Sequence, residues 1–106
     1  MQSQKQQQIS EQIAHIAAEF LGRESNRQSL ITVTRADVSP DMAKSTIYFT
    51  VMPTSYEDTV LEFARRQRAE FRNYIKKKTQ MRRIPFFNFE IDAGEKHRQH
   101  LDTLEL

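Results

Sequence analysis

The stretch "LITVTRADVSPDMAKSTIYFTVM", residues 30–52, decides the fold. Its first run, 30–38, and its second, 45–52, are rich in β-branched side chains, which favour strands. In the second run Ile47, Phe49 and Val51 alternate with Thr46, Tyr48 and Thr50, so one face of the strand is dry and the other wet. Between the runs, Pro40 presets φ for the first central position of a turn and Asp41 suits the next. Two strands joined by a short turn make a hairpin.

Upstream, Ile9, Ile13, Ile16 and Phe20 recur at i, i+4, i+7 and i+11, an amphipathic helix stripe that Ala17 and Leu21 widen. Gly22 is placed to end that helix. Residues 1–8 are Gln-rich and read as a flexible N-terminus, and the polar "RESNRQS" before the hairpin reads as a loop. Downstream of Pro53, Thr54 or Ser55 is placed to cap a second helix, and Glu57 and Asp58 suit the positive end of its dipole. Its apolar stripe is Val60, Phe63, Ala64, Gln67, Phe71, Tyr74 and Ile75. Pro85 disfavours helical geometry at Ile84, which sets a limit near Met81. "FFNFEID" (86–92) then alternates Phe87, Phe89 and Ile91 against Phe86, Asn88 and Glu90 as a third strand. Residues 93–106 form a C-terminal tail, open to one more short helix closed by Leu101 and Leu104. The order is α–β–β–α–β in one α+β domain over 9–92, a three-stranded sheet with helices on one face.

Composition narrows the function. The chain has 106 residues and two glycines, Gly22 and Gly94. A Walker A loop, a dinucleotide GxGxxG turn and a GxxG loop all need closely spaced glycines, so phosphate contacts fall to side chains or a helix N-terminus. No cysteine is present, so there is no disulfide framework and no thiolate zinc site. The N-terminal "MQSQKQQQ" has no apolar signal region, and no run approaches a membrane span. His97 and His100 at i, i+3, with His15 remote, lack the cysteines or carboxylates of a zinc site and read as solvated. Asp37, Asp41, Glu90 and Asp92 form no general acid–base pair, and Ser39 reads as turn chemistry rather than a nucleophile. The expectation is a protein that is not an enzyme, with no cofactor, no metal and no small-molecule substrate.

Charge supplies the positive clue. In "RRQRAEFRNYIKKKTQMRR" (65–83) nine of nineteen residues are basic and only Glu70 is acidic, while the whole chain carries +2. With Ala64 at 0° on a helical wheel, Arg68, Arg72, Arg65 and Lys76 fall at about 40°, 80°, 100° and 120°, one ribbon flanking the apolar stripe. A solvated, ion-paired face is the bland alternative, but such faces mix signs, and here Glu62 and Glu70 are the nearby partners. Unbalanced like charges call for a polyanion that neutralises them and releases counterions. Arg65, Arg68, Arg72, Lys76, Lys77, Arg82 and Arg83 are the candidate phosphate ligands. Tyr48, Tyr56 and Tyr74 are either base-stacking residues or core-margin aromatics.

Two segments at their proper separation resemble a known family. "VTRADVSPDMAKSTIYFTV" (33–51) resembles the hairpin signature of ribosome-binding factor A, a V-S-x-D-L-like turn leading into an alternating strand, with Met42 at the usual Leu. "RNYIKKKTQMRRIPFFNFEID" (72–92) is similar to that family's (L/M)-R-x-x-P-x-(L/F)-x-F-x-x-D segment, ending on Arg82 or Arg83, Pro85, Phe89 and Asp92. The resemblance implies a type II KH-like fold, α–β–β–α–α–β, without a GxxG loop. It also implies a cytoplasmic factor that binds the small ribosomal subunit and its rRNA during maturation and is not an enzyme. Separately, no heptad pattern suggests coiled-coil assembly, so a monomer is the expectation and oligomeric state stays open. The family kinks its helix pair at Ala-x-Gly. The aligned residues here are Gln67, Arg68 and Ala69, and since Ala is a strong helix former, one helix over 57–78 and two shorter ones both stay open. Two other functions compete: a generic KH-like nucleic-acid-binding module, and a basic module for an acidic protein partner, neither with a ribosomal role.

Overall fold

The computed structural model describes residues 3–23 and 28–95. Ser39, Pro40, Asp41 and Met42 form the expected turn, closed by the Met42 N–H on the Ser39 carbonyl at 2.9 Å. It joins β1 (Leu30–Val38) to β2 (Lys44–Met52), an antiparallel pair. Ile47, Phe49 and Val51 are fully or almost fully buried, and Thr46 and Tyr48 are partly exposed as the alternation predicts; Thr50, expected on the wet face, is buried as well.

β1 holds a feature that a uniform period of two does not describe. Val33 pairs with Phe49 and Arg35 with Tyr48, so Thr34 is an extra residue, a β-bulge. Without it Arg35 and Asp37 would follow Ile31 and Val33 into the core. With it, the strand changes parity, and Ala36 and Val38 are buried instead.

A three-residue 3-10 turn (Thr54–Tyr56) leads into α2 (Glu57–Arg66) and α3 (Arg68–Lys78). β3 (Phe86–Ile91) then pairs parallel to β2, giving the order β1-β2-β3 with β2 central. Of the two arrangements left open for 57–78, the chain takes two helices. Gln67 takes φ −94° and ψ 13°, and its N–H is shared between the Phe63 and Ala64 carbonyls at 3.2 and 3.0 Å, a tightened last turn. Ala69 is itself helical, the second residue of α3, and the break falls before it at Gln67. α2 lays Val60 and Ala64 against β2 and β3, whereas α3 turns Phe71 and Ile75 toward α1 and β3.

Phe71 is the centre of that packing. Its ring lies 5.3 Å from Phe20, 4.8 Å from Phe87 and 5.7 Å from Phe89, each edge to face. Burying such a side chain contributes about 1.5–3 kcal/mol, and the edge-to-face pairs add to it.

α1 runs Gln4–Gly22, starting five residues before the Ile9 read from the stripe. The reason is a capping box: Gln6 N–H donates to Ser3 Oγ at 3.1 Å, and Ser3 N–H to Gln6 Oε1 at 3.0 Å. The buried Gln6 amide also donates to the Val38 carbonyl at 3.1 Å, which ties the helix start to the end of β1. The segment expected to be flexible up to residue 8 is thus mostly the first turn of α1. The first residues of the expected tail, 93–95, are helical, and the rest of it, with His97, His100, Leu101 and Leu104, lies outside the described residues.

Candidate nucleic-acid interface

The basic segment divides where α3 passes its middle. Arg65 at the end of α2 places Nη2 3.2 Å from Glu90 Oε1. Arg68 donates from Nε to the Phe87 carbonyl at 3.0 Å and from Nη2 to Asn88 Oδ1 at 2.7 Å. Its guanidinium carbon also lies 5.4 Å from the Phe86 ring centroid. Arg72 donates from Nη1 to the Ile84 carbonyl at 3.2 Å. The ribbon read on one continuous helix is interrupted at Gln67, and its members Arg65, Arg68 and Arg72 face β3 and the residues leading into it. β3 is an edge strand, and an arginine on its outward carbonyl occupies a group that a foreign strand would otherwise use.

Further along, the surroundings change. Lys76 and Lys77 in the last turn of α3, and Arg82 and Arg83 in the following loop, are exposed and make no ion pair or hydrogen bond with the described residues. Their neighbours in sequence are engaged: Lys78 Nζ lies 3.8 Å from Glu19 Oε2, and Arg66 Nη1 3.9 Å from Glu62 Oε1. Arg83 lies close enough to help hold the Asp41 carboxyl below its ordinary range, after the hydrogen bonds that Asp41 accepts from Ser39 Oγ and the Ala43 N–H.

Sequence reasoning singled out Arg82 and Arg83 in the loop, but not the groove beside them. Met81, Arg82, Arg83 and Pro85 line a groove of about 410 Å³ together with Lys5 and Ile9 from α1 and Asp41 and Met42 from the hairpin turn. No α2 or α3 residue lines it. The signal that points to it is the early start of α1, which carries Lys5 and Ile9 to the turn.

The tyrosines have structural neighbours. Tyr48 lies under the Arg35 guanidinium, 3.8 Å from ring centroid to guanidinium carbon. Tyr74 packs 5.4 Å from Phe20, and Tyr56 is half-buried against the core. On the same open side as Tyr48, Asp92 Oδ2 accepts from Thr34 Oγ1 at 2.6 Å, linking the bulge in β1 to the residue after β3. That bond is the leading cause of an Asp92 carboxyl held below its usual range, helped by the Glu95 N–H and by Arg35. No group of three or more His, Cys, Asp or Glu able to hold a metal occurs among the described residues, and none of their helices is long and apolar enough to cross a membrane.

A three-stranded sheet with a parallel β2–β3 pair and a GxxG-less helix pair defines a small KH-like α+β domain. The crystal structure of ribosome-binding factor A from Thermus thermophilus superposes with a TM-score of 0.71 at 20% identity, covering 81% of this chain and 94% of that one. The Thermus thermophilus factor as fitted into a cryo-EM map of a 30S complex superposes with a TM-score of 0.67 at 21% identity, covering 76% and 88%. In sequence, the ribosome-binding factor A of Pseudomonas putida strain F1 is 31% identical over 103 residues, 92% of this chain and 78% of the relative. The family model for ribosome-binding factor A matches residues 3–105. The chain belongs to the ribosome-binding factor A family.

Proposed function

We propose that this protein is a maturation factor of the small ribosomal subunit, acting in the cytoplasm by binding small-subunit rRNA and performing no chemistry of its own. The observation that carries this reading is the family match across residues 3–105. A homology model of the Thermus thermophilus factor, of the same fold and fitted into the cryo-EM map of a 30S complex, supports the choice of subunit. The exposed Lys76, Lys77, Arg82 and Arg83 are the phosphate ligands of this reading, with the arginines able to bind a phosphate through two N–H groups at once. Arg65, Arg68 and Arg72, also candidates from the sequence, serve first to hold the α2–α3 corner on β3. Phosphate contacts position the protein, and the shape of the folded RNA supplies its preference.

Co-sedimentation with small subunits, large subunits and joined ribosomes across a salt titration tests the reading. Salt-sensitive pelleting with free or immature small subunits is the expected result. Equal pelleting with all three reduces the protein to a generic nucleic-acid-binding module, and a complex that survives nuclease treatment reassigns the basic surface to a protein partner.

A further inference from the structure

We propose that the groove between the start of α1, the hairpin turn and the 81–85 loop seats one unstacked base of single-stranded RNA, with the flanking phosphates on Arg82, Arg83 and Lys5. This rests on the rRNA-binding reading and adds to it the form of RNA that the site takes. The floor is apolar: Ile9, Met42 and Met81 are only partly buried, and Pro85 closes it beneath them. The rim carries three cations, Lys5, Arg82 and Arg83, against one carboxylate, Asp41. Asp41 is turned to its own loop, with Oδ1 taken by Ser39 Oγ at 2.6 Å and by the Ala43 N–H at 3.0 Å.

An apolar floor inside a cationic rim matches a nucleotide better than it matches duplex or bare polyanion. Paired RNA presents phosphates and 2′-hydroxyls and hides its base faces, whereas a splayed base brings an apolar face with a phosphate on either side. The volume, about 410 Å³, is at the small end of the range of ligand pockets and suits one nucleotide rather than a helix. Thioether side chains adapt to a flat ring without a preformed slot, and two of the floor residues are methionines. Lys76 and Lys77 lie outside the groove and extend the phosphate track without touching the base.

The backbone supplies a clean variant. Met42 sits at φ 61°, in the left-handed region, so Met42→Gly removes the floor side chain while relieving the backbone. Met81→Ala is the second variant, and thermal unfolding checks that both remain folded. The probes are a short mixed-sequence single-stranded RNA, a strand of the same length built of abasic riboses, and the same sequence fully paired, each read by fluorescence anisotropy. The base-bearing single strand is expected to bind about tenfold more tightly than the abasic one, as one stacked base provides. Met42→Gly and Met81→Ala are expected to erase that preference without changing the salt slope. If all three probes bind wild type alike while Arg82→Ala still lowers the slope, the base seat is overturned and the phosphate-binding reading stands. If no probe binds even at low salt, both fall. In small subunits, photo-methionine at positions 42 and 81 is expected to label rRNA; labelling of a ribosomal protein instead assigns the groove to a peptide and overturns the proposal.

Discussion

Arg65, Arg68 and Arg72 come from the same run of sequence as Lys76, Lys77, Arg82 and Arg83, yet they meet different partners. The first three bind a carboxylate, an amide oxygen and two backbone carbonyls along β3 and the residues before it. The last four meet no such group among the described residues and stand exposed. Like charge in one segment therefore serves two ends. One half of it fastens a helix corner to a sheet edge, and the other half stands exposed, the half proposed above to meet phosphate. A charge count over the segment cannot separate them, because what differs is the neighbouring strand.

The sharpest test of that division removes the exposed half. Replacing Lys76, Lys77, Arg82 and Arg83 together by Ala should lower the salt slope of RNA binding by about 3, four phosphate contacts on a single strand. Denaturant unfolding of the same variant should shift by no more than about 0.5 kcal/mol, as expected for surface positions. An unchanged slope would erase the distinction. Arg68→Ala should do the reverse, losing about 1–2 kcal/mol of stability for two hydrogen bonds from a charged donor while leaving the slope as it was. If the slope falls by about one unit instead, Arg68 touches phosphate as well as Phe87.

Asp92 gives a smaller effect on the open face of the sheet. Its side chain is only 12% exposed, and its folded pKa is depressed, chiefly by the Thr34 hydroxyl. The unfolded carboxyl takes up a proton first as pH falls, so this contribution is present above the ordinary carboxylate range and is lost as pH drops through the folded value. Asp92→Asn should cost about 1 kcal/mol at neutral pH and flatten the acid limb of the stability curve. Equal acid limbs in both proteins would remove Asp92 as its source. Arg72→Ala should change least, within about 0.5 kcal/mol by thermal unfolding, because its bond to Ile84 is exposed. A larger loss would move Arg72 fully to the internal half.

Much of this architecture was legible in particular residues. Pro40 and Asp41 placed the turn, and Ile47, Phe49 and Val51 placed the central strand, because both signals are local. The bulge at Thr34 also left a trace, since the apolar positions pass from Ile31 and Val33 to Ala36 and Val38, a change of parity. Ser3 and Gln6 carry the capping box that starts α1, but the apolar stripe begins only at Ile9, so hydrophobic periodicity does not reach the cap. The break at Gln67 had no local cause: Ala69 favours helix, and only the need to pack Ala64 and Phe71 on different neighbours bends the chain. The candidate cations were found by composition, but not their partners, because Phe87, Asn88 and Glu90 reach Arg65 and Arg68 through the sheet rather than through the sequence. The groove was missed for the same reason, its lining coming from three separated segments.

The parallel pairing of β2 with β3 has a consequence for how the chain is made. Lys44 pairs with Phe86 and Phe49 with Ile91, so one side of the central strand waits for nearly the last residues of the domain. During synthesis α1 and the hairpin emerge first and can associate early, since their contacts are close in sequence. Phe71 has no Phe87 or Phe89 to meet until β3 appears. A nascent chain halted within the basic segment therefore exposes an unpaired strand edge and half an aromatic core. Completion of the domain is a late, cooperative event, set by the emergence of β3 rather than by the hairpin that defines its topology.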